Sequence, residues 1–314
     1  MRKNKLLLLL VLLVAVVSGA WAQAQTYKIT VAEGTEDADK WTISPNPAKA
    51  GSPVTATYNG DKKVKSVKAV KKAAASTPLD NTTTAWTAGT FAVPAGGKTY
   101  SDAITVSGDV TLVLTDGETL TLNKGISLAS GATLTIEGNG TMNVNGTNSS
   151  TASTVAGNGT LVLTSGTLTA KGGNGGGYGD MEATSGSKQA GGVAINGTVT
   201  VSGGTLTATG GAGGSIGNRN VNVTAGAGGA AISGSVTLVS GTLTATGGNG
   251  GNGGDHSTGT AGAGGAAIGG DLTVNGGTMT TTNGSNGVVT SSPTAVNLGA
   301  GGKAVAGTVT DNRS

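Results

Sequence analysis

Apolar and polar residues follow one pattern four times between residues 158 and 305. Each unit has two short segments in which Val, Leu, Ile or Ala alternates with Thr or Ser, then a Gly-rich stretch, then a third short apolar segment. The units close at Ile195, Ile232, Ile268 and Val305, which are 37, 36 and 37 residues apart. A fixed period of this length is typical of solenoid and propeller proteins, in which each unit buries its apolar side chains against its neighbours.

A second, shorter period of 22 residues precedes these units. The apolar residues that repeat at this spacing form six pairs: Ile104 and Ile126, Val106 and Leu128, Leu112 and Leu134, Leu114 and Ile136, Leu120 and Met142, and Leu122 and Val144. They alternate with Thr, Ser or Asn, which predicts strands with one buried face. Three short strands and three turns sum to about 20 residues. Each unit therefore predicts one coil of a three-sided parallel β-helix.

The longer units are interpreted as the same coil with a Gly-rich excursion, such as residues 210–226 or 247–262. Stacked coils would place Leu168, Leu206, Leu243 and Met279 in one internal column, where each burial contributes about 1.5 to 3 kcal/mol. A propeller blade would need a fourth strand that the Gly-rich stretch does not offer, and the regular return of apolar residues disfavours disorder. The predicted fold is all-β: a right-handed three-sided parallel β-helix (β-solenoid) with Gly-rich loop insertions, preceded by a small β-sandwich-like module.

The N-terminal residues predict export. Arg2, Lys3 and Lys5 precede an apolar run at residues 6–17, and small residues follow it, which is typical of a cleaved signal peptide over residues 1–24. The apolar run is short for a membrane span, so no transmembrane segment is expected after signal cleavage. The chain contains no Cys, which excludes lipid attachment at a cysteine and disulfide bonds. The expected location is extracellular or at the cell surface.

The rest of the chain divides into three predicted parts. Residues 25–75 combine β-prone runs with an Asn59-Gly60 turn and predict the small β module. Residues 76–100 are assigned to a linker and cap. The β-helix is expected over residues 101–310, with 22-residue coils at 101–157 and looped coils at 158–305.

Composition and charge narrow the function classes. The chain has 59 Gly, one Phe, three Trp and four Tyr, so its core must consist of small aliphatic layers. Cleavage of the signal would remove three of the 19 basic residues and leave 16 basic against 16 acidic residues. A chain without net positive charge lacks the basic surface of a nucleic-acid-binding protein.

Candidate catalytic residues are sparse. Polysaccharide hydrolysis requires converging carboxylates, yet from residue 159 onward the acidic residues are Asp180, Glu182, Asp255, Asp271 and Asp311. The single histidine is His256, which offers no triad or structural zinc site. The sequence therefore predicts a protein that is not an enzyme.

Three acidic residues in the Gly-rich excursions are candidate metal ligands. Asp180, Glu182 and Asp255 could contribute carboxylate oxygens to a calcium site. Asp255 follows a Gly-Asn-rich segment that resembles part of a calcium-binding nonapeptide repeat, although such repeats need an aspartate in every turn. A solvated loop is the alternative, so no cofactor is predicted and calcium stays an open candidate.

Two features are candidate binding surfaces. Thr205, Thr207, Thr242, Thr244, Thr278 and Thr280 should form an outward threonine lattice with strands about 4.8 Å apart. Such lattices order water in β-solenoid ice binders, while Thr is also the ordinary outward residue of a polar sheet. Tyr178 is the only aromatic residue after Tyr100 and could stack on a sugar.

The repeated SGGTLTATGG and GAGGAAI segments resemble those of bacterial secreted or cell-surface β-helix repeat proteins of the adhesin-like or carbohydrate-binding-domain type. The N-terminal module resembles small immunoglobulin-like modules of bacterial surface proteins. The resemblance implies surface display and contact with extracellular polysaccharide or a host matrix. Three functions follow as hypotheses: a non-catalytic adhesion or display protein acting through stacked Gly-rich loops, a carbohydrate-binding module with or without the assistance of calcium, and an atypical polysaccharide lyase or hydrolase.

Overall fold

The computed structural model describes residues 9–10, 26–27, 40–44, 48–49, 54–60, 76–80, 82–177, 186–217, 223–253, 260–288 and 302–313. These residues form β-strands, turns and extended segments, and no α-helix occurs among them. The chain separates into two compact units, Met1–Ala73 and Ala74–Ser314.

The described strands of the first unit are short and antiparallel. They are β1 (Leu9–Leu10), β2 (Thr26–Tyr27), β3 (Trp41–Ser44), β4 (Ala48–Lys49) and β5 (Val54–Tyr58). One sheet has the order β1-β5-β3 and the other pairs β2 with β4. Residues 61–75, on the far side of the Asn59-Gly60 turn, lie outside the described residues.

The second unit contains all the other strands. In chain order they are β6 (Thr77–Pro78), β7 (Ala85–Trp86), β8 (Gly89–Ala92), β9 (Lys98–Tyr100), β10 (Ile104–Val106), β11 (Asp109–Leu114), β12 (Thr119–Leu122), β13 (Ile126–Leu128), β14 (Thr133–Gly138), β15 (Thr141–Asn145), β16 (Val155–Gly157), β17 (Thr160–Leu163), β18 (Thr167–Lys171), β19 (Gly186–Ser187), β20 (Thr198–Val201), β21 (Thr205–Thr209), β22 (Val223–Thr224), β23 (Val236–Leu238), β24 (Thr242–Thr246), β25 (Leu272–Val274), β26 (Thr278–Thr282) and β27 (Val309–Asp311).

Three parallel sheets form the sides of the second unit. The four-stranded sheet has the order β16-β13-β10-β7, the nine-stranded sheet β27-β25-β23-β20-β17-β14-β11-β8-β6, and the seven-stranded sheet β26-β24-β21-β18-β15-β12-β9. Each coil contributes to the sheets in turn, and beyond β16 the first side continues as single bridges at Ile195, Ile232, Ile268 and Val305. The predicted right-handed three-sided parallel β-helix is confirmed, and the propeller alternative is wrong because its blades would be antiparallel.

The solenoid begins earlier than the sequence pattern indicates. Residues 76–100, assigned to a linker and cap, contain β6, and strands β7, β8 and β9 make a complete coil in parallel register with the next one. The sequence pattern misses this coil because aromatic residues replace the aliphatic ones and because the spacing is uneven. Trp86 pairs with Val106, Phe91 with Leu112 and Tyr100 with Leu122, at offsets of 20, 21 and 22 residues. The parallel register therefore extends into residues 76–100, the range that the sequence assigns to a linker and cap.

The second side of the early coils has a different register from the 22-residue prediction. Val110 pairs with Leu134 and Leu112 with Ile136, an offset of 24 residues, whereas the other two sides keep 22. The turn before β11 has two residues, 107–108, and the turn before β14 has four, 129–132; the following turns, 115–118 and 139–140, reverse this difference. A shift of two residues keeps every side chain on its face, so the core is unchanged.

Columns of like residues fill the interior. Leu168, Leu206, Leu243 and Met279 pair in register as predicted, and the three leucines are no more than 1% exposed. The neighbouring column changes from Leu122 and Val144 to Ala170, Ala208 and Ala245. The alanines occur in the coils whose first side is a single bridge.

Tyr100 makes the stability of the first coil depend on pH in the alkaline range. Its ring is 3% exposed and its hydroxyl donates a 2.7 Å hydrogen bond to the Asp80 carbonyl oxygen. Burial, with a smaller contribution from the Asp80 charge, raises the pKa of the Tyr100 phenol above its usual value of 10.0. As the pH rises past 10.0, the Tyr100 phenol of the unfolded chain loses its proton before that of the folded chain. The contribution of Tyr100 to the free energy of unfolding is therefore constant below this pH and is lost as the pH rises further.

We therefore expect Tyr100→Phe to weaken this alkaline loss of stability, while costing about 1 kcal/mol near neutral pH through the lost hydrogen bond. Urea unfolding of the wild type and the variant across the alkaline range checks the prediction. Parallel pH profiles of the two proteins would contradict it.

Candidate functional site

The threonine lattice has the predicted register. Thr205 pairs with Thr242 and Thr242 with Thr278, while Thr207 pairs with Thr244 and Thr244 with Thr280. The first four residues of this set are half-buried, and the two on β26 are exposed. The six hydroxyls therefore lie on the outer face of the seven-stranded sheet, and a binding role for them stays a prediction.

Threonine also occupies other outward positions of the solenoid. On the seven-stranded sheet the first column continues through Thr167, Thr141 and Thr119. The nine-stranded sheet carries its own outward column, interrupted at Val162: Thr90, Thr111, Thr135, Thr200, Thr237, Thr273 and Thr310. Since both sheets use Thr in this way, its general fit to a half-exposed strand surface explains much of the pattern.

The remaining predicted site residues, Tyr178, Asp180, Glu182 and Asp255, lie outside the described residues. Among the residues that the structure does describe, no group of three or more His, Asp or Glu side chains is arranged to hold a metal ion. The calcium prediction is therefore untested at its candidate positions.

The Gly-rich excursions leave the solenoid at one corner and return to its first side. Each begins directly after a strand of the seven-stranded sheet. We call residues 172–177, 210–217, 247–253 and 283–288 the outgoing arms, and residues 186–192, 223–229, 260–265 and 302 the returning arms. The bridges at Ile195, Ile232 and Ile268 follow the returning arms, so successive arms are stacked as the coils are.

A continuous series of backbone hydrogen bonds joins the two sets of arms. Each N–H donates to a carbonyl oxygen of the opposite arm, at distances of 2.7 to 2.9 Å, and the series alternates between arms along the solenoid axis: Gly192 to Gly173, Gly211 to Gly192, Gly229 to Gly211, Gly248 to Gly229, Gly265 to Gly248 and Gly284 to Gly265. A second, parallel series runs nearer the excursion tips through Gly214, Gly226, Gly251, Gly262 and Gly287. The excursions are therefore built into the fold as a hydrogen-bonded layer.

Hydrogen-bond direction along an outgoing arm repeats every three residues. Gly210, Gly213 and Ile216 donate to the same arm of the next coil. The residue after each of the two glycines donates across to the returning arm. The third residue, Ala212 in the first triplet, donates to the side chain of Asn174 in the preceding coil. A repeat of three is the helical period of the polyproline II conformation, so the arms resemble stacked polyglycine chains of that type.

The contact between the arms requires glycine. A Cβ atom built on Gly211, Gly229 or Gly248 would lie closer than 3.0 Å to a backbone oxygen of a neighbouring arm. Only the third residue of each triplet faces outward, where Asn174, Ser215 and Asn249 occur. The sequence signal for this layer is the run of GGX triplets in the segments GGNGGG, GGAGGS and GGNGGN. A search for repeats of about 37 residues does not detect this three-residue repeat.

The charged groups that form ion pairs lie outside the strands of the threonine lattice. The ion pairs found within the described ranges are Lys124 with Asp102, at 3.3 Å, and Arg313 with Asp311, at 2.6 Å. Hydrogen bonds from the Arg313 side chain and backbone lower the pKa of the Asp311 carboxyl to about 2. Within the same ranges, no helix is long and apolar enough to cross a membrane.

Comparison with protein-family models, with curated proteins and with solved structures finds no match to the chain. The site must therefore be interpreted from its own geometry.

Proposed function

We propose that the chain is a non-catalytic secreted or cell-surface repeat protein that mediates adhesion or structural display through its stacked Gly-rich excursions. The observation that carries the proposal is the pair of hydrogen-bond series joining the arms. Further hydrogen bonds join successive outgoing arms near their ends: Ile216 donates to Asn252 and Gly253 donates to Val288, each at 2.9 Å. The segments that follow these residues thus start from one edge of the solenoid.

A row of segments that start from successive coils suits multivalent contact with a repetitive surface. Neighbouring coils lie about 4.8 Å apart, and linking several weak contacts on one rigid body raises the overall affinity without any new contact. The proposed partner is extracellular polysaccharide or a host matrix. Polysaccharide binding assisted by calcium is the second form of the proposal, because Asp180, Glu182 and Asp255 lie in the same excursions.

The test compares changes at two separate sets of residues in the full chain. One variant replaces residues 218–222 and 254–259 with Gly-Ser segments of equal length. The matched variant replaces Thr205, Thr207, Thr242 and Thr244 with serine on the threonine lattice. We expect the first variant to lose binding on an array of glycans and matrix proteins and the second to retain it, with both showing the wild-type circular dichroism spectrum.

Three results would contradict the proposal or select its second form. Wild-type binding by the first variant would remove the role of the excursions. Release of oligosaccharides from any array glycan would show catalysis and overturn the non-catalytic assignment. Loss of glycan binding on chelation, recovered by added Ca²⁺, would select the calcium-assisted form.

A further inference from the structure

A cavity of about 280 Å³ lies in the corner between the seven-stranded sheet and the outgoing arms. One wall consists of Asn145, Lys171 and Thr209, the last residues of β15, β18 and β21. The opposite wall consists of Asn148 and Asn174. The parallel register places the wall residues of successive coils one above another, so the cavity is a groove that runs along the solenoid axis.

The floor of the groove is backbone. It is formed by Gly146, Gly172 and Gly210. A Cβ atom on any of them would point into the fold and lie closer than 3.0 Å to other atoms, such as the Gly192 oxygen below Gly172. Glycine at these positions therefore lets the floor pack directly on the backbone beneath it, which fixes the depth of the groove.

The asparagine wall presents hydrogen-bond donors. The Asn174 backbone N–H donates to Asn148 Oδ1, and the Ala212 N–H donates to Asn174 Oδ1, each at 3.0 Å. A backbone N–H can only donate, so these bonds fix which amide atom is the oxygen and direct it toward the protein. The NH₂ groups of the two exposed asparagines are left to donate to a ligand.

Lys171 adds a positive charge on a fixed backbone. Its carbonyl oxygen accepts hydrogen bonds from the Gly146 N–H at 2.8 Å and from the Thr154 hydroxyl at 2.7 Å. Thr154 is only 1% exposed, so this corner is anchored in the interior. The Lys171 side chain is exposed and belongs to neither ion pair of the described ranges. Among the described residues, no carboxylate lines the cavity.

We infer that this groove binds an anionic polysaccharide whose carboxylates accept hydrogen bonds from Lys171 and from the Asn148 and Asn174 amides. The groove presents an ammonium group and two amide NH₂ groups as hydrogen-bond donors, and a negatively charged ligand that is rich in acceptor oxygens suits them best. The axial run of the groove suits an extended polymer. Beyond the cavity, Thr209 is followed in register by Thr246, and Gly213, next to Ala212, donates to the Asn249 carbonyl oxygen of the next coil. The inference rests on the proposed contact with extracellular polysaccharide and assigns it a site and a ligand class.

The test measures the affinity of the full chain for polygalacturonate, alginate and hyaluronate by titration calorimetry. The carboxyl-reduced form of each polymer serves as the uncharged control. We expect binding to the charged forms, weakened by added salt. Lys171→Met should lower the affinity about tenfold or more, which is the fold-change of one charge-assisted hydrogen bond, and Asn174→Ala should lower it less.

Lys124→Met is the matched control, because it removes the same charge from an exposed lysine outside the groove. Equal affinity of the Lys171→Met and wild-type proteins, an equal loss in Lys124→Met, or no binding to any of the three polymers would overturn the groove. Array binding that survives Lys171→Met but depends on residues 218–222 and 254–259 would overturn the groove and leave the proposed function standing. Absence of all array binding would overturn the proposed function itself.

Discussion

Replacing Gly248 with valine is expected to lower the free energy of unfolding by about 3 kcal/mol or more, at the upper end of the usual cost of overpacking. Gly248 lies in the first of the two hydrogen-bond series that join the outgoing and returning arms. Its N–H donates to the Gly229 oxygen and its carbonyl oxygen accepts from the Gly265 N–H, each at 2.8 Å. A Cβ atom on Gly248 would lie closer than 3.0 Å to the Gly211 carbonyl oxygen of the coil below. This neighbour is backbone, which cannot rotate away as a side chain could, so the arm must shift and both hydrogen bonds must lengthen.

Urea unfolding measures the loss of stability, and amide hydrogen exchange locates it. We expect faster exchange at Gly229, Gly248 and Gly265 than at the core strands. Ala227→Val is the matched control, because Ala227 adjoins the same layer but is exposed; it should change the stability by less than about 0.5 kcal/mol. Equal effects of the two substitutions would show that the layer tolerates side chains and would contradict its assigned packing.

The second large effect is expected at Leu243. This side chain is 0% exposed and lies in the internal column between Leu206 and Met279. Leu243→Ala should lower the free energy of unfolding by about 2 to 5 kcal/mol, because it removes buried methyl groups and leaves a cavity. In a solenoid each coil is stabilised mainly by its two neighbours, so the loss should extend to the coils on either side.

Thr244→Ala provides the comparison for Leu243→Ala, because the two residues are adjacent on β24 and face opposite sides of the sheet. The outward substitution should stay within about 0.5 kcal/mol of the wild type. Urea unfolding of both variants checks the pair, with hydrogen exchange at β21 and β26 reporting on the neighbouring coils. A small effect of Leu243→Ala would show that this column does not carry the core.

The fold could be predicted because a coil is a local unit with a regular pattern. The bridges at Ile195, Ile232, Ile268 and Val305 and the column through Leu206 and Leu243 follow directly from spacing. Turn lengths are not set by that pattern. The two-residue shift that pairs Leu112 with Ile136 depends on two compensating turns, and Gly138, with φ at 104°, accommodates it opposite Leu114.

The candidate site was less predictable, for two physical reasons. The outward threonines follow from the period-two pattern, whereas the layer of arms depends on backbone contacts that carry no side-chain signal beyond the GGX triplets. The groove joins residues distant in sequence: Lys171 lies 26 residues after Asn145 and 38 before Thr209. Its donor character depends on hydrogen bonds that orient the Asn148 and Asn174 amides, which no sequence pattern indicates.

The hydrogen-bonded layer of arms also determines which codons of the gene can change without loss of the fold. Every nucleotide change that replaces a Gly codon with another amino acid introduces a Cβ atom, so selection should remove such changes at Gly211, Gly229 and Gly248 whichever residue they encode. Codons for the outward third positions, such as those of Ala212 and Asn249, carry no such restriction. Excursions that look like low-complexity sequence should therefore drift slowly at two positions of every triplet and freely at the third. Binding preferences can then diversify through the third positions while the scaffold stays the same.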